Sequence, residues 1–205
     1  MKKKLTFLAT ALCLAAPAAF AQISNPLQQV ENAVEGELHP SDAAVVQGRQ
    51  QVREVARESL ASLYEIAPGA RRAIERSAGY AVFSTFGVKL FFAGGTSGKG
   101  MVVNNRTSRE TFMRMLQVQG GLGFGIAQNR LIFVFTTQEA LNNFINQGWE
   151  FGAQANVSAM AGGQGGMFTG AASIAPGVYL YQLTQNGLSA TLTVAGTKFF
   201  RDPQL

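Results

Sequence analysis

The sequence predicts an α+β domain in which a strongly curved or barrel-like antiparallel sheet packs against N-terminal amphipathic helices. Apolar residues recur at helical spacing between Ser41 and Ile66, and after Gly79 the apolar period changes from 3.6 to 2. Glycine clusters separate strand-like segments between residues 77 and 135. These observations predict a single hydrophobic core, lined by Val52, Leu60, Leu63, Phe83, Phe133, Phe135, Phe144, Ala190, Leu192 and Val194.

Two helices are predicted at the start of the domain. Ser41 is a favourable N-cap for the first, which ends before Pro68-Gly69. A short second helix follows from Ala70 to Ser77 and carries three arginines. The apolar positions that define the first helix are Val45, Val52, Ala56, Leu60 and Leu63.

The remainder of the chain is predicted to be mostly strands. Asn186-Gly187 is a strong hairpin signal. Further helices are predicted at Arg109–Gln117 and Gln138–Gln147, and the glycine-rich stretch Met160–Ala172 is predicted to be a mobile surface loop. The predicted strands are Tyr80–Phe83, Val88–Ala93, Met101–Asn104, Leu131–Thr136, Trp149–Ala155, Val178–Leu183, Leu188–Val194 and Thr197–Phe200.

The N-terminus is typical of an exported protein. Three lysines precede a short apolar run and the small-residue site Ala19-Phe20-Ala21, which predicts a signal peptide over residues 1–21. Residues 22–40 are then a linker and residues 41–205 the domain, in the periplasm or secreted. Cleavage would remove Cys13, the only cysteine, and would lower the net charge from +5 to about +2. So small a charge does not predict nucleic-acid binding.

The sequence argues against most enzymatic chemistry. The stretch 93–100 resembles a phosphate-binding loop, but Gly100 replaces the hydroxyl residue that would hold Mg²⁺, so a tight glycine hairpin is expected instead. The glycines of 121–125 lack dinucleotide-binding spacing and predict a twisted or bulged strand. His39 is the only histidine, which excludes a Ser-His-Asp triad or a multi-histidine metal site. No catalytic residue, metal or cofactor is therefore predicted.

A pair of glutamates and two N-glycosylation sequons are weaker signals of function. Glu54 and Glu58 share a helix face with arginines, and pairs such as Glu54 with Arg57 predict a solvated charged face rather than an acid–base site. The sequons at 105–107 and 156–158 would matter only in a host that glycosylates exported chains.

In the order and spacing of its motifs, the chain resembles the SYLF lipid-binding domain family, and especially its exported bacterial branch. The resemblance runs from about Ser41 to the C-terminus. Its motifs are Ala78-Gly79-Tyr80-Ala81-Val82-Phe83, Gly94-Gly95 with Gly98-Lys99-Gly100, Gly120-Gly121-Leu122-Gly123-Phe124-Gly125, Leu131–Phe135, Thr111–Met115, Ala140-Leu141 with Phe144, Gly148–Ala155 and Asn186-Gly187-Leu188.

This resemblance implies non-enzymatic binding of phospholipid, with phosphoinositides as the eukaryotic ligands. Two segments typical of the eukaryotic actin regulators are replaced here, at 109–112 and 160–166, so actin binding is not expected. The predicted function is peripheral binding of anionic phospholipid at the cell envelope. The alternative is a structural or protein-interaction component of the envelope that assembles through exposed β surface.

Candidate lipid contacts are of two kinds. Met167 and Phe168, in the glycine-rich loop, either enter the membrane or dock back on the protein. The candidate phosphate-binding cations are Arg71, Arg72, Arg76, Lys89, Lys99, Arg106, Arg109 and Arg114.

Overall fold

A computed structural model describes residues 41–90, 93–120, 125–151, 168–189 and 196–205. The predicted signal peptide and linker lie outside these ranges, as do the glycine segment 121–124, most of the glycine-rich loop and the predicted strand residues Ala190, Leu192 and Val194. Within the described ranges the chain is α+β, with an antiparallel sheet curled into a half-barrel, so the predicted fold class is confirmed.

Two consecutive helices precede the sheet. Helix α1 spans Asp42–Ile66, and the Ser41 side chain accepts a hydrogen bond from the Ala44 amide at 3.3 Å, as an N-cap does. Helix α2 spans Pro68–Arg76 and begins two residues earlier than predicted. Pro68 separates the two helices and is the first residue of α2. Proline is favourable there, because it lacks only an amide N–H, and the first turn of a helix leaves that donor without an intrahelical partner in any case.

The described residues contain nine strands: β1 Gly79–Leu90, β2 Ala93–Asn104, β3 Arg109–Gly120, β4 Gly125–Phe135, β5 Trp149–Phe151, β6 Ala172–Ala175, β7 Val178–Thr184, β8 Gly187–Leu188 and β9 Thr197–Arg201. Their order in the sheet is β5-β9-β3-β2-β1-β4-β7-β6, with β8 paired to β7. Helix α3, Gln138–Gln147, lies between β4 and β5 in the chain and confirms the prediction for that segment.

The predicted helix Arg109–Gln117 is wrong, because this segment is strand β3. Its backbone pairs with β2 along its whole length and with β9 over Met113–Gln117. Met113 and Met115 are buried on one face, while Leu116 is exposed on the other. Arg, Met, Leu and Gln favour helices when taken singly, but pairing on both edges overrides so weak a preference.

The predicted glycine hairpin at 93–100 is also wrong, because this stretch belongs to strand β2. These glycines lie inside β2, and the strand pairing instead brings Leu90 opposite Ala93. Gly100 stands opposite Phe83, and a Cβ at this position would collide with the Phe83 ring and the Val82 carbonyl. The glycine is therefore explained by close approach of a large ring, and not by a turn.

Other predicted boundaries shift in the same region of the chain and near its C-terminus. The two predicted strands at 80–83 and 88–93 belong mostly to the single long strand β1. Strand β6 begins at Ala172, inside the predicted loop. The Asn186-Gly187 hairpin is confirmed, with Gly187 at φ +104°.

The prediction of one core is wrong, since buried apolar residues form two clusters on opposite faces of the sheet. The face under α1 and α2 holds Val52 and Leu63, with Leu60 partly buried at its margin. The other face, under α3, holds the predicted aromatic residues Phe83, Phe133, Phe135 and Phe144. Both faces of the sheet are thus covered, which period-2 strands alone do not indicate.

Tyr181 lies in the cluster under α1 with its side chain fully buried, and burial raises its pKa to about 12. The folded state therefore favours the neutral phenol, while the unfolded chain ionises near pH 10. The contribution of the neutral Tyr181 phenol to the free energy of unfolding is fully present below pH 10. It is lost as pH rises towards 12, where the loss should reach about 2 kcal/mol.

Urea unfolding of the wild type and Tyr181→Phe between pH 9 and pH 12 would measure this loss. Phenylalanine does not ionise, so the difference in unfolding free energy between the two proteins should shift by about 2 kcal/mol in favour of the variant. Tyr64 and Tyr80, whose pKa values burial also raises, act equally in both proteins. If the unfolding free energies of the wild type and Tyr181→Phe change in parallel between pH 9 and pH 12, Tyr181 does not have the raised pKa.

Candidate functional site

The candidate site lies on the sheet face that packs against α1. Strands β1 to β4 are paired in register, so side chains of this face form rows that run across the strands. The first row consists of Val82, Met101, Phe112 and Ile132, and it packs beneath the helix as part of the core. The next rows, farther along the same strands, are polar and then apolar.

The second row is cationic. Ser84 of β1 pairs with Lys99 on one side and Arg130 on the other, and Lys99 pairs with Arg114 of β3. Arg130 is held against α1, where its Nη1 donates to the Ser59 hydroxyl at 3.0 Å and lies 3.4 Å from a Glu58 carboxylate oxygen. Among the described residues, Lys99 and Arg114 form no ion pair or side-chain hydrogen bond. These two residues are called the cation pair below.

Beyond the cation pair the same face carries exposed apolar side chains. Phe86 and Leu116 flank Ser97 in the third row, and Val118 follows Leu116 two residues farther along β3. Phe86 and Leu116 are each 47% exposed and Val118 is 74% exposed. We call these three residues the apolar patch. An exposed cluster of this kind on a folded domain is more often a contact surface than a packing defect.

A pocket of about 380 Å³ opens between α1 and the cation pair. Its apolar wall comes from both the helix and the sheet, through Val52, Val55, Ala56, Val82 and Phe86. Its polar wall carries Lys99 and Arg114 with the hydroxyl and amide residues Ser84, Ser97, Gln51 and Gln128. The described lining residues include no carboxylate, so this part of the pocket combines an apolar wall with net positive charge.

The other sequence-predicted cations lie elsewhere. Arg106 occupies the β2–β3 turn and Arg109 is the first residue of β3. Both lie near the first residue of β1, Gly79, which pairs with Asn104 of β2. Arg114 lies five residues farther along β3 than Arg109, which corresponds to about 17 Å at 3.3 Å per residue. For Lys89 the structure describes backbone pairing with Gly94 but not the side chain. The eight cations therefore do not form one site.

The arginines of α2 form a separate group. Arg72 and Arg76 are exposed, while the Arg71 guanidinium lies over the Tyr64 ring, 4.3 Å from its centroid. Burial and the neighbouring Tyr80 raise the pKa of Tyr64, and the charge of Arg71 partly offsets this. Stacking on an aromatic face gives Arg71 a structural role of its own.

A second polar cluster joins α1 to β3 and to the C-terminal residue. The Arg53 Nε lies 2.8 Å from a Glu110 carboxylate oxygen, and both Arg49 and Arg53 stack over the Phe112 ring. Arg49 also donates to the Leu205 main-chain oxygen at 2.8 Å. Sequence reasoning missed this cluster, because its members are far apart in the chain and meet only through folding.

The charged face of α1 is arranged differently from the sequence expectation. Glu58 of α1 pairs with Arg130 of β4, and Arg53 of α1 pairs with Glu110 of β3, so both ion pairs join the helix to the sheet. In the described part of the chain, neither Glu54 nor Arg57 takes part in an ion pair. The helix charges therefore anchor α1 to the sheet rather than pairing along the helix.

Phe168 is docked on the protein. Its ring stacks on Tyr179 with centroids 3.9 Å apart and an interplanar angle of 14°. Phe168 thus packs at the margin of the cluster under α1. Met167 lies outside the described residues, and a membrane contact by either side chain stays a prediction.

Asn105, the acceptor of the first sequon, is committed to the fold. Its side-chain amide donates to the Ile74 carbonyl at 2.7 Å and to the Ser77 carbonyl at 3.1 Å. These bonds tie the β2–β3 turn to the end of α2. A glycan on this nitrogen would break them, while the second sequon, 156–158, lies outside the described residues.

Two further properties bear on what the site can do. Over the described ranges, no group of three or more His, Cys, Asp or Glu side chains is placed to hold a metal ion. None of the helices in those ranges has both the length and the apolar character needed to cross a membrane.

Comparison with known proteins gives one distant relative. The chain is 27% identical over 168 residues to a protein named "Beta cell expansion factor A" from Aeromonas veronii. The match covers 82% of this chain and 62% of the relative, so the chain spans about three fifths of that protein's length. No family model matches the sequence.

Proposed function

We propose that this chain is an exported, non-enzymatic phospholipid-binding module that acts peripherally at the cell envelope and belongs with the SYLF-domain proteins. The observation that carries the proposal is the succession of rows on one sheet face, from the cation pair Lys99 and Arg114 to the exposed apolar patch. The motif resemblance along residues 41–205 supports the same function from the sequence.

The spacing of these rows suits a membrane interface. Val118 lies four residues beyond Arg114 on β3, which corresponds to about 13 Å along the strand. A peripheral element buries its apolar side roughly 5–10 Å into the boundary between headgroups and acyl chains. With the patch at that depth, the cation pair lies at the level of the lipid phosphates.

Electrostatics make the cation pair the part of the site that selects anionic lipid. A basic residue near an anionic membrane surface contributes about 1 kcal/mol of binding free energy. A net charge of about +2 after signal cleavage is too small to hold a membrane without such local clustering. The interaction should therefore weaken with salt, since screening shortens the reach of exposed charges.

The test is flotation of the purified chain with vesicles of neutral phosphatidylcholine alone or mixed with an anionic phospholipid. The double variant Lys99→Gln with Arg114→Gln should bind anionic vesicles about 30-fold more weakly than the wild type, from roughly 2 kcal/mol of lost attraction. The matched control is Arg72→Gln with Arg76→Gln, which removes the same charge from the exposed face of α2.

The two double variants separate the candidate sites. Weak binding by the cation-pair variant with normal binding by the control places the lipid at the sheet face. The reverse result moves the site to α2, where Arg71 should then be replaced as well. An absence of flotation with either vesicle type would contradict the lipid proposal and favour the alternative, a protein-interaction component of the envelope.

A further inference from the structure

We infer that the pocket between α1 and the sheet binds one single-chain anionic amphiphile as a monomer. The cation pair would hold its head group, and its chain would lie along the apolar wall formed by Val52, Val55 and Ala56. The inference deepens the proposed function and rests on it, since both use Lys99 and Arg114 and the pocket is also lined by Phe86 of the apolar patch. It differs in that the ligand leaves the bilayer and enters the protein.

The walls of the pocket divide by chemistry in the way such a ligand requires. The helix contributes Val52, Val55 and Ala56 and the sheet contributes Val82, so apolar groups line two opposing sides. Lys99 is exposed and Arg114 is half-buried, which places the charges at the mouth. An alkyl chain inserted from the mouth would therefore lie against the apolar side chains of the helix and the sheet, while its head group stays near the cations and solvent.

The charge around the pocket favours an anion. Lys99 and Arg114 lack partners among the described residues, whereas Arg130, in the same row of side chains, is satisfied by Ser59 and Glu58. Among the described residues that line the pocket, no carboxylate competes for the two cations. A carboxylate or a phosphate monoester meets this requirement equally, because arginine pairs with either in a bidentate manner.

The size of the pocket favours one chain. Small-molecule sites range from about 300 to 1,000 Å³, and a volume of about 380 Å³ lies near the lower limit. A lipid with two long chains exceeds such a volume. The class of ligand is therefore a fatty acid, an alkyl phosphate or a lysophospholipid.

Isothermal titration calorimetry with monomeric probes tests the inference. Dodecyl phosphate and dodecanoate, each below its micellar concentration, should both bind. Comparing their dissociation constants shows whether the site prefers a phosphate or a carboxylate head group. Dodecanol, which has no charge, should bind at least tenfold more weakly. Each methylene removed from the chain should weaken binding about fourfold. An absence of heat from both anionic probes would overturn the inference.

Filling the pocket separates this inference from bilayer binding. Ala56→Leu should lower dodecyl phosphate affinity at least tenfold while vesicle flotation stays unchanged, because the apolar patch is untouched. Ala61→Leu makes the same change on the exposed side of α1 and should bind like the wild type. Since Ala56 is buried and a larger side chain there can disturb packing, Val55→Phe at the half-buried rim serves as a second filling variant.

The outcomes distinguish the two proposals. Monomer binding that survives both filling variants would overturn the pocket inference and leave the membrane proposal standing. Monomer binding by a chain that floats with neither vesicle type would support the pocket and refute the membrane proposal.

Discussion

Replacing Phe144 with alanine is expected to lower the free energy of unfolding by about 3–5 kcal/mol. Phe144 is the largest side chain that α3 places in the core, and it is fully buried. Its ring lies 5.1 Å from Phe135 and 5.4 Å from Trp149, measured between centroids. Truncation would leave a cavity that the surrounding rings cannot fill, because interiors relax only partly around a deletion.

The contacts of Phe144 also hold α3 against the sheet. Its ring lies 5.5 Å from Phe133 and 5.6 Å from Phe199, on strands that are not neighbours in the sheet. Aromatic pairs at such distances add about 0.5–1.5 kcal/mol each beyond the burial of their area. Loss of the ring should therefore loosen a helix, as well as create a cavity.

Urea unfolding followed by circular dichroism would measure the change. Phe86→Ala is the matched control, because it makes the same truncation at a side chain that is 47% exposed, and it should cost less than about 1 kcal/mol. Equal losses in the two variants would contradict the assignment of Phe144 to the core and of Phe86 to the surface.

The helices were predictable from the sequence because their signals are local. Ser41 caps α1, and the apolar spacing from Val52 to Leu63 matches the side that the sheet covers. Thr137 similarly accepts a hydrogen bond from the Ala140 amide at the start of α3. Caps and 3.6-residue periodicity are properties of short segments, so they can be recognised without knowledge of the fold.

The failures concern contacts between distant segments. Strand β3 looks helical in isolation, and only its pairing with β2 and β9 makes it a strand. The two cores illustrate the same limit. Alternation along β1 gives Val82 and Phe83 opposite faces, but the sequence does not say that α1 covers one face and α3 the other.

The candidate site shows how such an error propagates. Sequence analysis named both Lys99 and Arg114, but they are 15 residues apart and meet only because β2 and β3 pair in register. The predicted helix at 109–117 gives no such register, so the sequence does not single out Lys99 and Arg114 as direct neighbours among the candidate cations. The apolar patch was missed for a related reason, since a large apolar residue in a strand is expected to face a core.

Replacing the three residues of the apolar patch by serine is expected to weaken vesicle binding about a hundredfold. Full burial of a Val, Leu or Phe side chain contributes about 1.5–3 kcal/mol, and 47% of Phe86 and of Leu116 and 74% of Val118 is exposed here. The three together therefore contribute roughly 3 kcal/mol to membrane transfer, which corresponds to about two powers of ten in binding.

The same triple variant should leave the fold nearly unchanged, since none of the three side chains belongs to the buried core. The measurement is flotation with anionic vesicles alongside a urea unfolding curve. A useful control is Val46→Ser with Ile66→Ser, which removes exposed apolar side chains from the two ends of α1. If this control weakens binding as much as the patch variant does, nonspecific apolar adsorption explains the interaction. If the patch variant binds normally, Phe86, Leu116 and Val118 do not enter the membrane, and the cation pair alone must then account for attachment.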